Sequence, residues 1–115
     1  MNERDLMRTV DEYLRYQQNM GKLWFTRLNS GNILAKKGDK FYNVKLCDEG
    51  TADFEVVKGN IDTMIRPRCR VIFLELKSET GKQSLEQGAF QKIVEAQGCE
   101  YHIIRSFEQL EEILG

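Results

Sequence analysis

From Asp5 to about Gln18 the apolar residues Leu6, Val10, Tyr13 and Leu14 recur at i, i+4, i+7 and i+8. That spacing predicts an amphipathic helix, and Gly21 marks its end. The pattern then shortens its period. Leu23 to Leu28 reads as a strand, closed by the turn residues Asn29-Ser30-Gly31-Asn32. Lys36 to Lys40 is expected to be a polar hairpin or loop, and Phe41 to Leu46 a short strand. Thr51 to Val57 alternates as a strand does, with Lys58-Gly59-Asn60 ending it. Arg66-Pro67-Arg68 is expected to be a loop, because proline lacks the donor that a sheet interior requires.

Arg70 to Lys77 is the clearest strand. Its run Val71-Ile72-Phe73-Leu74 turns polar only at the end, which suggests burial on both faces. After the break at Gly81 a helix is expected from Ser84 to about Gln97, with Leu85, Ala89, Ile93 and Val94 inward. Ser84 followed by Gln87 forms a capping box at its start. Glu100 to Arg105 reads as a strand, and Phe107, Leu110, Ile113 and Leu114 form the stripe of a last helix capped by Ser106. This order predicts an α/β fold, a central mixed β-sheet flanked by helices. The crossover between Lys77 and Glu100 makes their strands parallel.

With 115 residues, 41 % of them hydrophobic, and neither a long repeat nor a low-complexity linker, the chain is expected to be one domain, 1–115. The apolar run at 71–74 is far short of the roughly 20 residues of a membrane-spanning helix, and the charged start Met1-Asn2-Glu3-Arg4-Asp5 lacks a signal-peptide core. Cys47, Cys69 and Cys99 contain no close pair, and His102 is the lone histidine. A structural zinc site is therefore not expected; free thiols in a reducing cytoplasm are.

Seventeen basic and 18 acidic residues give a net charge of −1, which argues against binding nucleic acid by bulk electrostatics. Summed locally, the balance is uneven. Lys36 to Lys45 holds four lysines against one acid, and Ile61 to Arg70 three arginines against one, while Ser106 to Gly115 adds three glutamates. Candidate phosphate-contacting segments are thus set apart from an acidic end.

Alternation along the best strand places Val71, Phe73, Glu75 and Lys77 on one face and Ile72, Leu74 and Leu76 on the other. Taken alone, Glu75 and Lys77 fit a strand reaching solvent. Asp53, on the preceding strand, taken alone fits a solvated carboxylate. Converging, the three suit a different purpose: two hard oxygen donors for Mg²⁺ or Mn²⁺, and a cation for the charge that develops on a phosphate. Gln87 lies in the first turn of the following helix, and Lys82 beside its amino terminus would favour a phosphate there.

These residues resemble a known family. Asp53 followed by Glu75-Leu76-Lys77 is similar to the PD-(D/E)XK nuclease signature. Gly50-Thr51-Ala52-Asp53, Gly81-Lys82-Gln83-Ser84-Leu85-Glu86-Gln87 and Arg27-Leu28-Asn29-Ser30-Gly31 resemble, in order, motifs of the VRR-NUC (virus-type replication–repair nuclease) domain in its stand-alone form. Alanine stands at position 52 where many members have proline.

The resemblance implies a restriction-endonuclease-like core and Mg²⁺- or Mn²⁺-dependent hydrolysis of DNA, with branched or four-way-junction DNA as substrate and a homodimer as the working unit. Asp53, Glu75 and the Leu76 backbone carbonyl would hold the metal, Lys77 would orient the water, and Gln87 would lie beside the site. An acid early in the first helix, Glu3, Asp5 or Glu12, would join them, Glu3 fitting best. Arg27, Asn29, Ser30, Lys36, Lys37, Arg66, Arg68, Lys82 and Ser84 are the candidate DNA contacts. A non-cleaving DNA-binding accessory domain of the same fold is the alternative, and a small interaction protein a third.

Overall fold

The computed structural model describes residues 1–60 and 68–115, with Asn60 and Arg68 described as backbone only. Arg66 and the loop expected around Pro67 lie outside the described residues, as does the Arg68 side chain. The first helix, α1 (Glu3–Asn19), starts where the Asn2 side chain accepts the Asp5 amide, and Gly21 follows its end at φ 74°. Strand β1 (Trp24–Arg27) leads to a hairpin of β2 (Asn32–Lys37) and β3 (Lys40–Lys45). Two long strands follow, β4 (Phe54–Asn60) and β5 (Arg68–Leu76), then α2 (Leu85–Ala96), β6 (Glu100–Ile104) and α3 (Phe107–Leu114).

The chain is mixed α/β, and its main sheet has the order β1-β4-β5-β6. The pairs β1–β4 and β4–β5 are antiparallel, and β5–β6 is parallel across the α2 crossover. Helices flank the sheet on both faces. On one face Leu6, Val10 and Leu14 of α1 and Leu110 and Leu114 of α3 close over Phe54, Val56, Ile72, Leu74, Leu76 and Ile104. The sheet residues among these, with Leu6, Val10, Leu14 and Leu110, are 0 % exposed. Burying each such side chain contributes roughly 1.5–3 kcal/mol, so this dry layer is the main source of stability.

The other face is thinner. Phe90 of α2 meets Phe73 edge-on at 5.2 Å and Tyr101 at 6.1 Å, and no residue of α2 is fully buried. The expected inward set of α2 is therefore corrected. Leu85 is 91 % and Ile93 63 % exposed and Ala89 is also outside, while Gln87, Phe90, Gln91 and Val94 turn toward the sheet. Polar anchors at the helix start set this rotation against the aliphatic pattern. Likewise Val71 and Phe73 are half-buried rather than enclosed, so β5 is fully covered on one face only.

Two boundaries move as well. The fourth strand begins at Phe54, leaving Asp53 in the bend before it, and continues through the expected stop at Lys58-Gly59 to Asn60. Lys36 to Lys40, expected as a polar hairpin or loop, is the tip of the β2–β3 hairpin, with Gly38 at φ 64° opening a two-residue turn. No helix among the described residues is long and apolar enough to cross a membrane. All three cysteines are free.

Candidate active site

Antiparallel pairing of Phe54 with Leu74 places Asp53, one residue earlier, across from Glu75. Two backbone bonds hold it there: the Asp53 amide donates to the Leu74 carbonyl at 2.9 Å, and the Asp53 carbonyl accepts the Leu28 amide at 2.8 Å. The carboxylate completes the attachment, its Oδ2 accepting the Leu76 amide at 2.7 Å. A residue in a bend thus acquires the rigidity of the sheet.

Glu75 is only 3 % exposed. Its Oε1 accepts from Gln87 Nε2 at 2.7 Å and lies 3.8 Å from Lys77 Nζ. Its Oε2 is buried and has no hydrogen-bond partner among the described residues. A buried oxygen of that kind costs free energy unless a proton or a cation occupies the place beside it. Burial, and then the charge of Asp53, push the Glu75 carboxyl up to about 8. Burial also raises Asp53, with the Leu76 amide opposing. Two carboxyls facing one another without enough countercharge form an arrangement that holds a proton when empty and favours a divalent cation.

Gln87 serves two purposes with one side chain. Its Oε1 accepts the Ser84 amide at 2.8 Å, and its own amide donates to Ser84 Oγ at 3.1 Å, completing the expected capping box. With the oxygen committed to the cap, the NH₂ must face Glu75. Helix start and site are therefore fixed by the same group. Ser84 is consumed as the cap, and Lys82 is exposed nearby.

Gly50 explains how α2 comes so close. At φ 92° it lies buried against the helix, where an added Cβ would fall 2.5 Å from the Glu86 carbonyl carbon and oxygen. Only glycine fits. The β5–α2 connection is held separately, by Arg105 donating to the carbonyls of Ser78 and Gly81, both at 2.7 Å. Tyr101 closes the far side, its hydroxyl accepting from Gln83 at 3.2 Å; burial, more than the neighbouring Glu75 and Asp53 charges, lifts it to about 12. Arg105 and Tyr101 are positioning groups that the sequence reading missed. Tyr101 is legible in hindsight because it pairs with Phe73 on the face of Glu75, whereas Arg105 shows no pattern at all.

Of the three first-helix acids only Glu3 bears on the site, raising both Asp53 and Glu75 by its charge. Asp5 instead faces Arg8 at 3.6 Å. Glu3, Glu12, Arg4, Arg8 and Arg27 line a cleft of about 740 Å³ along α1, and Glu3 on its wall is the residue whose charge reaches Asp53 and Glu75. Asn29 and Ser30 lie elsewhere: the Asn29 carbonyl accepts the Cys47 amide, and Ser30 bridges to Cys47 at the base of the hairpin. Lys36 and Lys37 are out on the hairpin. Arg70 is engaged too, bound to Glu100 at 2.7 and 2.8 Å rather than free for phosphate.

Among the described residues no three His, Cys, Asp or Glu side chains gather as a metal-binding group. The donor set is the pair Asp53 and Glu75, the latter with its Oε2 buried and unpartnered among the described residues. That pair fits Mg²⁺ or Mn²⁺, which take one or two carboxylates and complete their shell with water and substrate oxygen. Comparison of the chain with protein-family models, with curated proteins and with solved structures finds no match in any of the three.

Proposed function

We propose that the protein is a Mg²⁺- or Mn²⁺-dependent endonuclease that hydrolyses phosphodiester bonds of branched or junction DNA, on a restriction-endonuclease-like core. The observation that supports this most is the buried, unpartnered Glu75 Oε2 beside Asp53 and Lys77. Such an arrangement costs stability, and phosphoryl-transfer chemistry supplies a use for it. Asp53, Glu75 and the Leu76 carbonyl are the proposed metal ligands, with Glu3 at the margin. A divalent ion there supplies a Lewis acid for a phosphate oxygen and makes a neighbouring water more acidic.

The chain's own groups do the rest. Gln87 holds one Glu75 oxygen in place, so the other faces the site in a single orientation. Lys77, largely buried and next to Glu75, orients the attacking water and neutralises charge gathering on the phosphate. The positioning role is preferred to that of a general base, because a bound metal acidifies water without an ammonium having to give up its proton. Arg27, Arg4 and Arg8 along the cleft give the strand's phosphates a path to the site. We place the enzyme in viral or bacterial replication or repair, in the cytoplasm, working as a homodimer on the two strands of a junction.

The test is incubation of the purified protein with labelled linear, flap and four-way-junction DNA, in Mg²⁺, Mn²⁺ or EDTA, beside Asp53→Ala and Lys77→Ala. Metal-dependent cutting that falls by about 10²–10³-fold or more in each variant is the expected result. Cutting in EDTA, or cutting retained by both variants, overturns it. Binding without cutting of any substrate supports an accessory DNA-binding role instead.

A further inference from the structure

Among the described residues the β2–β3 hairpin packs against no other helix or strand. Backbone bonds among Asn29, Gly31, Leu46 and Cys47 tie its base, and beyond them twelve strand residues project on their own. The radius of gyration is 16.0 Å, where a compact domain of this length has about 13 Å. An isolated two-stranded hairpin is marginal in water, and this one exposes Ile33, Leu34, Phe41 and Tyr42. It is built to be covered.

Its charge indicates by what. Residues 32–45 hold four lysines and one acid, a net +3, so the remainder of a chain of net −1 carries −4. Lys45 is paired with Asp48 at 2.9 Å, but Lys36, Lys37 and Lys40 form no ion pair among the described residues. The register puts Lys37 directly opposite Lys40 on one face, a like-charge pair that weakens the hairpin by itself. On the other face Lys36 lies over the Phe41 ring at 5.5 Å. Positive charge is therefore displayed on both faces of the tip. A protein surface would cover one face; a nucleic-acid groove has phosphates on both walls. Strands of six residues reach about 20 Å, and the major groove is about 12 Å wide and 8.5 Å deep, wide enough for a two-stranded ribbon.

We propose that the β2–β3 hairpin is a duplex-gripping arm that enters a groove of the double helix away from the Asp53–Glu75 site, with Lys36, Lys37 and Lys40 on the phosphates and Phe41 and Tyr42 against the groove. The inference rests on the proposed function for its ligand class, duplex DNA, and it adds a second point of contact that the cleavage chemistry does not need.

The test is fluorescence anisotropy of the whole chain on labelled duplex and four-way junction, in EDTA so that nothing is cut, across a salt series. The variant Lys36→Ala/Lys37→Ala/Lys40→Ala should weaken binding about tenfold or more and reduce the slope of log K against log salt by about 2–3, since each lost phosphate contact removes about 0.9. The corresponding triple arginine variant should restore both, and circular dichroism should match wild type. An unchanged affinity and slope overturns the proposal. So does sedimentation showing that wild type is a dimer and the alanine variant a monomer, which identifies a second copy as the occupant. Hairpin-dependent binding by a protein that cuts nothing retains this inference and defeats the nuclease reading; cutting with hairpin-independent binding does the reverse.

Discussion

The two faces of one sheet follow different rules. Strand β5 contributes Ile72, Leu74 and Leu76 to a face sealed by two helices, where all three are 0 % exposed. Its alternate residues Phe73 and Glu75, with Lys77 just past its end, lie under a single helix with no fully buried residue. The sealed face is hydrocarbon at its centre, with the Arg70–Glu100 ion pair and His102 at its margin. The thin face holds aromatic rings, amides and three ionisable groups in an orientation determined by hydrogen bonds. A small domain obtains stability from the first and can therefore tolerate the second, where Glu75 is kept in a poor environment for a carboxylate.

The contrast is most easily broken on the sealed face. Leu74→Ala should cost about 3–5 kcal/mol, the range for a fully enclosed leucine, measured as a shift in urea midpoint at constant slope. A cost near 1 kcal/mol would mean the two faces are equally loose.

Next comes the pH dependence of the thin face. The Glu75 carboxyl is raised from 4.5 to about 8, so below pH 4.5 it is protonated whether folded or unfolded and imposes no penalty. As pH climbs from 4.5 toward 8 the unfolded chain has released a proton that the folded chain retains, and stability must fall. Between pH 5.5 and 7.5, in EDTA, wild type should lose about 2–3 kcal/mol relative to Glu75→Gln, which has no proton to lose. Added Mg²⁺ or Mn²⁺ should raise the wild-type melting temperature at pH 7.5 and leave that of Glu75→Gln nearly unchanged. Parallel pH profiles for the two proteins would contradict the buried-carboxyl account.

Gln87→Ala removes both a capping acceptor and the amide on Glu75, and should destabilise by about 1–2 kcal/mol in the same titration. The smallest effect is expected where the aliphatic pattern looked strongest. Leu85→Ala and Ile93→Ala, on the outward side of α2, should each stay within about 0.5 kcal/mol of wild type. A loss near 2 kcal/mol at either would show that this side is covered in solution.

The same division explains what could be read from the sequence. Where hydrophobic burial decides the structure, as in α1 and α3, periodicity locates the elements and their inward residues. Asp53, Glu75, Lys77 and Gln87 were legible as a group because strand alternation and helix capping are local rules, and the fold brings them together as those rules imply. The rotation of α2 was not legible. It depends on Gly50 and Glu75, distant in sequence, prevailing over a local stripe of leucine and isoleucine. The strand through Gly59 escaped for a related reason: pairing with β5 across the Lys58–Arg70 and Gly59–Cys69 positions outweighs glycine's weak preference for strands. Arg105 acts on backbone carbonyls, which leave no trace in sequence.

Gly50 has a consequence for how this molecule can drift. It contributes no functional group, yet its missing methyl allows the loop before Asp53 to lie directly on the backbone of Glu86. Alanine there would act as a wedge, with no flexible side chain to yield and a φ of 92° that resists any Cβ. The helix would pivot outward and lift Gln87 from Glu75, opening the candidate site with each of its residues still present. Substitution at position 50 would thus undo the proposed site while leaving Asp53, Glu75, Lys77 and Gln87 unchanged in the sequence.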